Sequence, residues 1–168
     1  MEGDVDSSLM QTRAFRDAWG NFATGVSLIT TVEEDGSIHG MTANGIASIS
    51  LDPMLVMVCV SHSANSYPIL KAWGSYGINI LSDDQVEVAE YFAKPTEKRI
   101  EDLDVEFTVT DDGVPLLEGA LSAMACKVVK EYVTGDHSIF IGLVESINTN
   151  DGAPMLFFRG NWAYLESY

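Results

Sequence analysis

The chain has 168 residues, 46% of them hydrophobic and 10% aromatic, enough apolar side chain for one globular core that takes roughly two thirds of the unfolded surface out of water. Asp and Glu number 25 against 9 Lys and Arg, for a net charge of −16, and a field of that sign repels nucleic-acid backbones and anionic lipid surfaces. No run approaches the roughly 20 apolar residues of a bilayer span, and the acidic start Met1-Glu2-Gly3-Asp4-Val5-Asp6 is unlike a secretory signal; the expectation is a cytoplasmic single domain over residues 1–168 with neither a nucleic-acid nor a membrane partner.

Ser7 or Ser8 suits the cap of a helix from about residue 8 to 19, with Phe15 and Trp19 four apart on one face, able to lie across a barrel. Residues 25–32, rich in β-branched side chains, lead into Glu33-Glu34-Asp35-Gly36; they read as a strand entering a tight turn, with 37–44 as its hairpin partner. After an irregular stretch, Asp52-Pro53 punctuates the chain, and the apolar run 54–60 predicts a strand buried on both faces at the barrel's centre. Residues 66–73 suit a short helix and 76–81 a strand. A second helix begins at Ser82, whose spacing to Gln85 fits a capping box, with Val86, Ala89 and Phe92 on its apolar face. The polar stretch 94–104 reads as a connection. Two long strands follow at 121–134 and 138–148, then a shorter pair at 155–159 and 162–165 around Gly160-Asn161. About seven or eight strands with two or three short helices, and no regular βαβ alternation, predict a mainly β fold, a closed or split antiparallel β-barrel with edges that invite pairing.

Hydrolytic and metal signatures are missing: the sequence has no His-Glu-x-x-His, no Gly-x-Ser-x-Gly, no Walker loop and no Cys and His cluster. Cys59 and Cys126 lie in apolar runs and read as small core residues. His39, His62 and His137 are far apart in sequence, which leaves a triad assembled by folding open. The acidic surface fits a high-salt interior and an ordinary solvated surface equally well. Thr42, Asn44, Ser48, Ser50, Ser61, Ser63, Asn65 and Ser66 place uncharged hydrogen-bonding groups around the central strand, as a pocket for a planar, polar-edged ligand with a phosphorylated tail requires. By composition alone, strand ends and turns capped by Ser and Asn account for the same residues.

The order of several short stretches resembles the flavin reductase-like, FMN-binding split-barrel family, which includes reductase components of two-component flavin monooxygenases. These are Phe22-Ala23-Thr24-Gly25-Val26, Gly40-Met41-Thr42-Ala43-Asn44, Ser48-Ile49-Ser50-Leu51-Asp52-Pro53, Phe92-Ala93, Gly135-Asp136-His137 and Pro154-Met155-Leu156-Phe157-Phe158-Arg159-Gly160. The resemblance runs from about residue 15 to 165. It implies that the peptide groups from Met41 to Leu51 face the flavin, with Thr42, Ala43 and Asn44 along the isoalloxazine edge and Ser48, Ser50 and Leu51 flanking the ring and ribityl chain. Cys59, Val60 and Ser61 would line the same cavity. Asn65 would join the cofactor-binding set, and Ser66 sits where relatives place a Ser or Thr near the phosphate. Relatives often carry a basic residue near 62–64; here only His62 stands there, so the phosphate grip would be looser or drawn from Lys94, beside Phe92 and Ala93, or from Lys98 or Arg99. His137 resembles the position beside the nicotinamide, though a strand-start histidine at a dimer edge accounts for it too. Phe157 stands where relatives frequently have Tyr, and Arg159 suits either a cofactor phosphate or a salt bridge.

The activity so implied is hydride transfer from NADH or NADPH to N5 of FMN or FAD, a step whose electronic work belongs to the coenzymes, leaving the protein to position them without a catalytic acid or base. Few cations disfavour the extra 2′-phosphate of NADPH. Reduced flavin would then supply a partner monooxygenase, and a homodimer is expected. Two rivals share the fold: an electron carrier or redox sensor that keeps its FMN, and an oxidase of the pyridoxamine phosphate type, for whose phosphate the sequence offers no basic cluster.

Overall fold

Side chains that alternate between apolar and polar with a period of two dominate the chain after residue 24, and the computed structural model, which describes residues 2–99 and 103–166, turns most of them into antiparallel strands. The elements in order are α1 (Glu2–Trp19), β1 (Thr24–Gly25), β2 (Ser27–Val32), β3 (Ile38–Ala43), β4 (Ile46–Leu51), β5 (Met54–Ser61), α2 (Ser66–Trp73), β6 (Ser75–Ile80), α3 (Val86–Ala93), a 3-10 turn (Thr96–Lys98), β7 (Phe107–Val109), β8 (Pro115–Leu117), β9 (Ser122–Thr134), β10 (His137–Thr149), β11 (Leu156–Phe158) and β12 (Asn161–Ala163).

Seven strands form the main sheet in the order β3-β2-β6-β9-β10-β5-β4. Its two outer strands, β3 and β4, are consecutive in the chain, joined only by Asn44 and Gly45, and the Cys59 amide donates to the Gly45 carbonyl at 2.8 Å; the sheet therefore curls back on itself as a barrel. A separate sheet, β1-β11-β12, and the β7–β8 hairpin complete a split antiparallel barrel. Val58, Val60, Tyr76, Ile78 and Phe140 fill the barrel interior, with Leu70 of α2 in the same cluster. A second cluster holds Leu28 of β2 with Ala89 and Phe92 of α3. Gly40 makes the latter contact possible: a Cβ there would stand 2.5 Å from the Phe92 ring. No described helix is long and apolar enough to cross a membrane.

Several local expectations are corrected. Helix α1 begins at Glu2, so Ser7 and Ser8 fall within it rather than at its cap, and Leu9, Met10, Phe15 and Trp19 are exposed instead of lying across the barrel. The stretch before Asp52, expected to be irregular, is strand β4. Its Ala47, Ser48 and Ile49 are all exposed, so the burial contrast that marks a strand is weak there. Strand β5 is buried on one face only: Val56, Val58 and Val60 point inward, while Met57, Cys59 and Ser61 are half-buried on the outside. Helix α3 starts at Val86 rather than Ser82. Gln85 Oε1 does accept from the Ser82 amide at 3.1 Å, as in a capping box, but the Asp83 amide is held by the Ala153 carbonyl, which keeps residues 82–85 as a turn. With β7, β8 and the two-residue β1, the described residues form twelve strands and three α-helices.

The buried hydroxyl of Tyr76 has no hydrogen-bond partner among the described residues, and Gly142 of β10 makes room for it: a Cβ there would lie 2.3 Å from the hydroxyl oxygen. Burial pushes its phenol well above the ordinary range. Tyr76→Phe is expected to raise stability by about 1 kcal/mol, because it removes an unpaired polar group without opening a void. Urea unfolding tests this, and a lower midpoint for the variant would refute it.

Candidate functional site

The half-buried outer face of β5 meets the matching face of β10. Ser61 is paired with His137, Cys59 with Ile139 and Met57 with Ile141, so a mostly apolar surface ends in two polar side chains. His137 opens β10 after a two-residue loop, Gly135 and Asp136, between the paired Thr134 and His137. Gly135 carries the positive φ (58°) that the first residue of a II′ hairpin turn needs. The Asp136 carboxylate, itself held below the usual range chiefly by the hydrogen bond to His137, accepts from His137 Nδ1 at 2.7 Å. That bond fixes the ring and leaves Nε2 on the side away from the carboxylate. Ser61 bonds Ser63 through their hydroxyls at 2.9 Å.

From Cys59 the surface continues across Gly45 to Asn44, whose Nδ2 donates to Thr24 Oγ1 at 3.2 Å. Thr24 is paired with Phe157 in the small sheet. Phe158 and Asn161 flank the two-residue turn Arg159-Gly160, and both turn residues have positive φ (49° and 80°), as a type I′ hairpin requires. Arg159 reaches back to the turn that follows α1: its Nε and Nη2 donate to Asn21 Oδ1 at 2.8 and 2.5 Å, and its amide donates to the Gly20 carbonyl. Asn44, Phe157, Arg159, Trp19 and Phe22 line a cleft of about 710 Å³, within the roughly 300–1,000 Å³ usual for ligand sites.

Other candidate residues point elsewhere. Met41 and Ala43 pack against the barrel core, while Thr42 faces α3 and donates its hydroxyl to the Ala89 carbonyl at 2.6 Å. The Val60 side chain is fully buried inside the barrel rather than lining a cavity. Ser66 is buried, its hydroxyl 2.8 Å from His39 Nε2; Asn65 beside it is exposed. Phe92 is core, Ala93 and Lys94 are exposed, and Arg99 spends its guanidinium on the carbonyls of Gly40, Phe92 and Lys94. Ser48, Ser50 and Leu51 line a different, largely apolar cleft of about 390 Å³ at the barrel mouth, with Met54, Met124 and Ile147. In one copy of the chain Asn44 and Arg159 line one cleft, Ser48, Ser50 and Leu51 line another, and Cys59, Ser61 and His137 stand on the outer face of β5 and β10. Sequence reasoning gave no role to Thr24, Asn21 or Asp136; Thr24, within Phe22-Ala23-Thr24-Gly25-Val26, and Asp136, next to His137, had a readable signal, and Asn21 had none.

Both thiols are disfavoured as nucleophiles, since burial raises Cys59 and pushes Cys126 up to about 12. His39 is 2% exposed between Glu33 (Nδ1, 2.9 Å) and Ser66, and burial lowers its pKa despite the opposing Glu33, with Arg99 adding to the lowering. The unfolded chain then takes up this proton more readily than the folded one. Stability is complete above the ordinary value of 6.5 and is lost as pH falls from there through the lowered folded value. Urea midpoints measured from pH 7.5 to about 5 are expected to fall, and His39→Gln to flatten that slope; equal slopes for the two proteins would refute the assignment.

By topology the protein is a split antiparallel β-barrel with a polar rim around an outer sheet face. Residues 19–166 match the family model described as a flavin reductase like domain, and the chain belongs to that family. It is similar to an NADH-dependent flavin reductase of Rhodococcus sp, with 44% identity over 166 residues, 98% of this chain and 92% of the relative. Among solved structures it resembles the flavin reductase PheA2 in its native state, with 41% identity, TM-score 0.85 and coverage of 92% of this chain and 98% of that one. It also resembles the styrene monooxygenase flavin reductase of Pseudomonas putida S12, with 32% identity, TM-score 0.84 and coverage of 92% and 98%.

Proposed function

We propose that this protein oxidises NADH and reduces diffusible flavin, FMN or FAD, which then leaves to serve a separate monooxygenase. The observation that carries the reading is the polar rim itself: Asn44, Ser61 and His137 stand with the backbone of residues 43–45 around the outer face of β5 and β10, in a chain of the flavin reductase like family. The Asn44 amide and the peptide N–H groups beside it match the carbonyls and ring nitrogens of an isoalloxazine edge. Both ring systems are substrates here. The nicotinamide gives up a hydride, two electrons and a proton nucleus together, to flavin N5 and ends as the cation. The chain's task is to stack the two rings about 3–3.5 Å apart and to supply dipoles where negative charge gathers on the reduced ring. Asn44 and nearby peptide amides serve the flavin edge, and His137, its ring held by Asp136, orients the nicotinamide.

A second copy of the chain belongs to this reading. Leu51, Met54 and Ile147 are all exposed around the mouth of the smaller cleft, Leu51 by 87%, and pairing of two barrels covers them and adds Ser48 and Ser50 to a shared flavin cavity. Light scattering on the purified protein is expected to give the mass of a dimer.

Steady-state oxidation of NADH and of NADPH, with FMN, FAD and riboflavin each varied, tests the activity. The expected result is saturable dependence on added flavin and preference for NADH. Nicotinamide consumption at an unchanged rate without added flavin overturns the diffusible role, and flavin spectra unaltered by the protein overturn the site.

A further inference from the structure

Behind the rim lies a hydrogen-bonded network that the proposed reaction does not touch directly. Ser138 is fully buried and donates its hydroxyl to Glu131 Oε1 at 2.8 Å. A hydroxyl has a single proton, so towards His62 Nε2, 3.1 Å away, the same oxygen must accept, and the His62 proton sits on Nε2. Glu131 is further held by the Tyr67 hydroxyl at 3.0 Å and by Lys71 Nζ, 3.0 Å from Oε2, both from α2. These partners, Ser138 first, hold its carboxyl below the usual range. The His62 ring lies against Tyr67, with centroids 4.7 Å apart, and the His62 amide donates to the Asp136 carbonyl at 2.9 Å.

A β-bulge puts Glu131 there. Lys130 is paired with Ile141 but Val128 with Gly142, so Val129 is an extra residue in β9. Without it Glu131 would stand opposite Ile139 on the outer face; with it Glu131 stands opposite Phe140, on the side of Ser138. The network is joined to the rim through the chain itself. His62 follows Ser61 and Ser138 follows His137, and in each pair one residue is tied into the network while its neighbour belongs to the outer face.

We propose that Glu131 is a positioning residue for the hydride-donor side of the site, fixing through Ser138 and His62 the strand ends that present His137 and Ser61. This rests on the reading of His137 as the group that orients the nicotinamide.

The test is steady-state kinetics of Glu131→Ala, Glu131→Gln and Ser138→Ala, with His137→Ala in parallel and thermal unfolding of each. Expected are a rise of about tenfold in KM for NADH in Glu131→Ala and Ser138→Ala, with kcat and flavin KM changed by less than about twofold, and recovery of most of the loss in Glu131→Gln, which keeps an acceptor for Ser138. Unaltered KM for NADH in both alanine variants, while His137→Ala raises it, overturns the positioning role alone. If His137→Ala leaves that KM unchanged, the reading of His137 itself fails, and the role of Glu131 with it. A parallel rise in both KM values, tracking a loss of thermal stability, shows that the network is scaffolding and also overturns the proposal. Should Glu131→Ala not fold, Ser138→Ala decides.

Discussion

Replacing Asn79 with Leu is expected to cost about 4 kcal/mol of stability, close to 10 °C in Tm for a chain of this size. Asn79 is fully buried on β6 and spends its amide on two other strands at once. Nδ2 donates to the Leu28 carbonyl at 2.9 Å and to Thr30 Oγ1 at 3.2 Å, both on β2, while Oδ1 accepts the Leu117 amide of β8 at 2.7 Å. Leu has the same branched outline and is somewhat larger, so no void opens; what is lost is the pairing, and the Leu117 N–H is left in a dry interior. Thr30 also loses a partner next to its own bond to the Pro115 carbonyl, so the short hairpin of β7 and β8 loosens from the barrel. Urea unfolding of Asn79→Leu and Asn79→Ala decides the matter. A loss below about 1 kcal/mol in the Leu variant would show that these bonds are replaced by others.

Asn79 also illustrates what the sequence concealed. In Gly77-Ile78-Asn79-Ile80 it reads as the polar member of an alternating strand, facing water; it is buried because β8, itself invisible in the composition of Pro115-Leu116-Leu117, supplies the amide it needs. The long strands β9 and β10 and helix α2 were legible within a residue or two, since β-branched runs and a local helical period are properties of neighbouring residues. Strand β4 was not, because only its pairing with β5 gives Ile46–Leu51 a regular conformation. The site shows the same division. Asn44 and His137 were singled out from short ordered motifs and Ser61 from the polar residues around the central strand, and the fold brings the three round the end of β5. Thr42 and Ser66 look alike in sequence to the residues of the rim, yet their hydroxyls are taken by Ala89 and His39, partners 47 and 27 residues away. Hydroxyl side chains carry no mark of which face will be covered, and that is decided by elements distant in the chain, α3 over Thr42 and β3 beside Ser66.

Asn44→Asp is expected to lower kcat/KM for flavin reduction about a hundredfold while leaving the fold intact. The side chain is exposed at the crossing from β3 to β4, and its one described bond is to Thr24 Oγ1. An aspartate of the same shape keeps that contact, because the threonine hydroxyl can reverse and donate to it, so the change in stability should stay within about 1 kcal/mol. The chemistry responds far more strongly. In the proposed arrangement the Asn44 amide faces the edge on which negative charge collects as hydride reaches N5; the substitution removes a donor and places a like charge beside it. Two unit charges about 4 Å apart at an effective dielectric of about 20 repel by about 4 kcal/mol, and loss of a donor to developing charge alone costs about 10²-fold or more where the site is dry. Asn44 is exposed, which moderates both, and the estimate of a hundredfold reflects that. Asn44→Ala, which loses the donor without adding charge, should fall between the two proteins. The decisive measurement is the single-turnover rate of flavin reduction by NADH at saturating flavin. A rate for Asn44→Asp within twofold of the unaltered protein would mean that the ring's polar edge lies elsewhere.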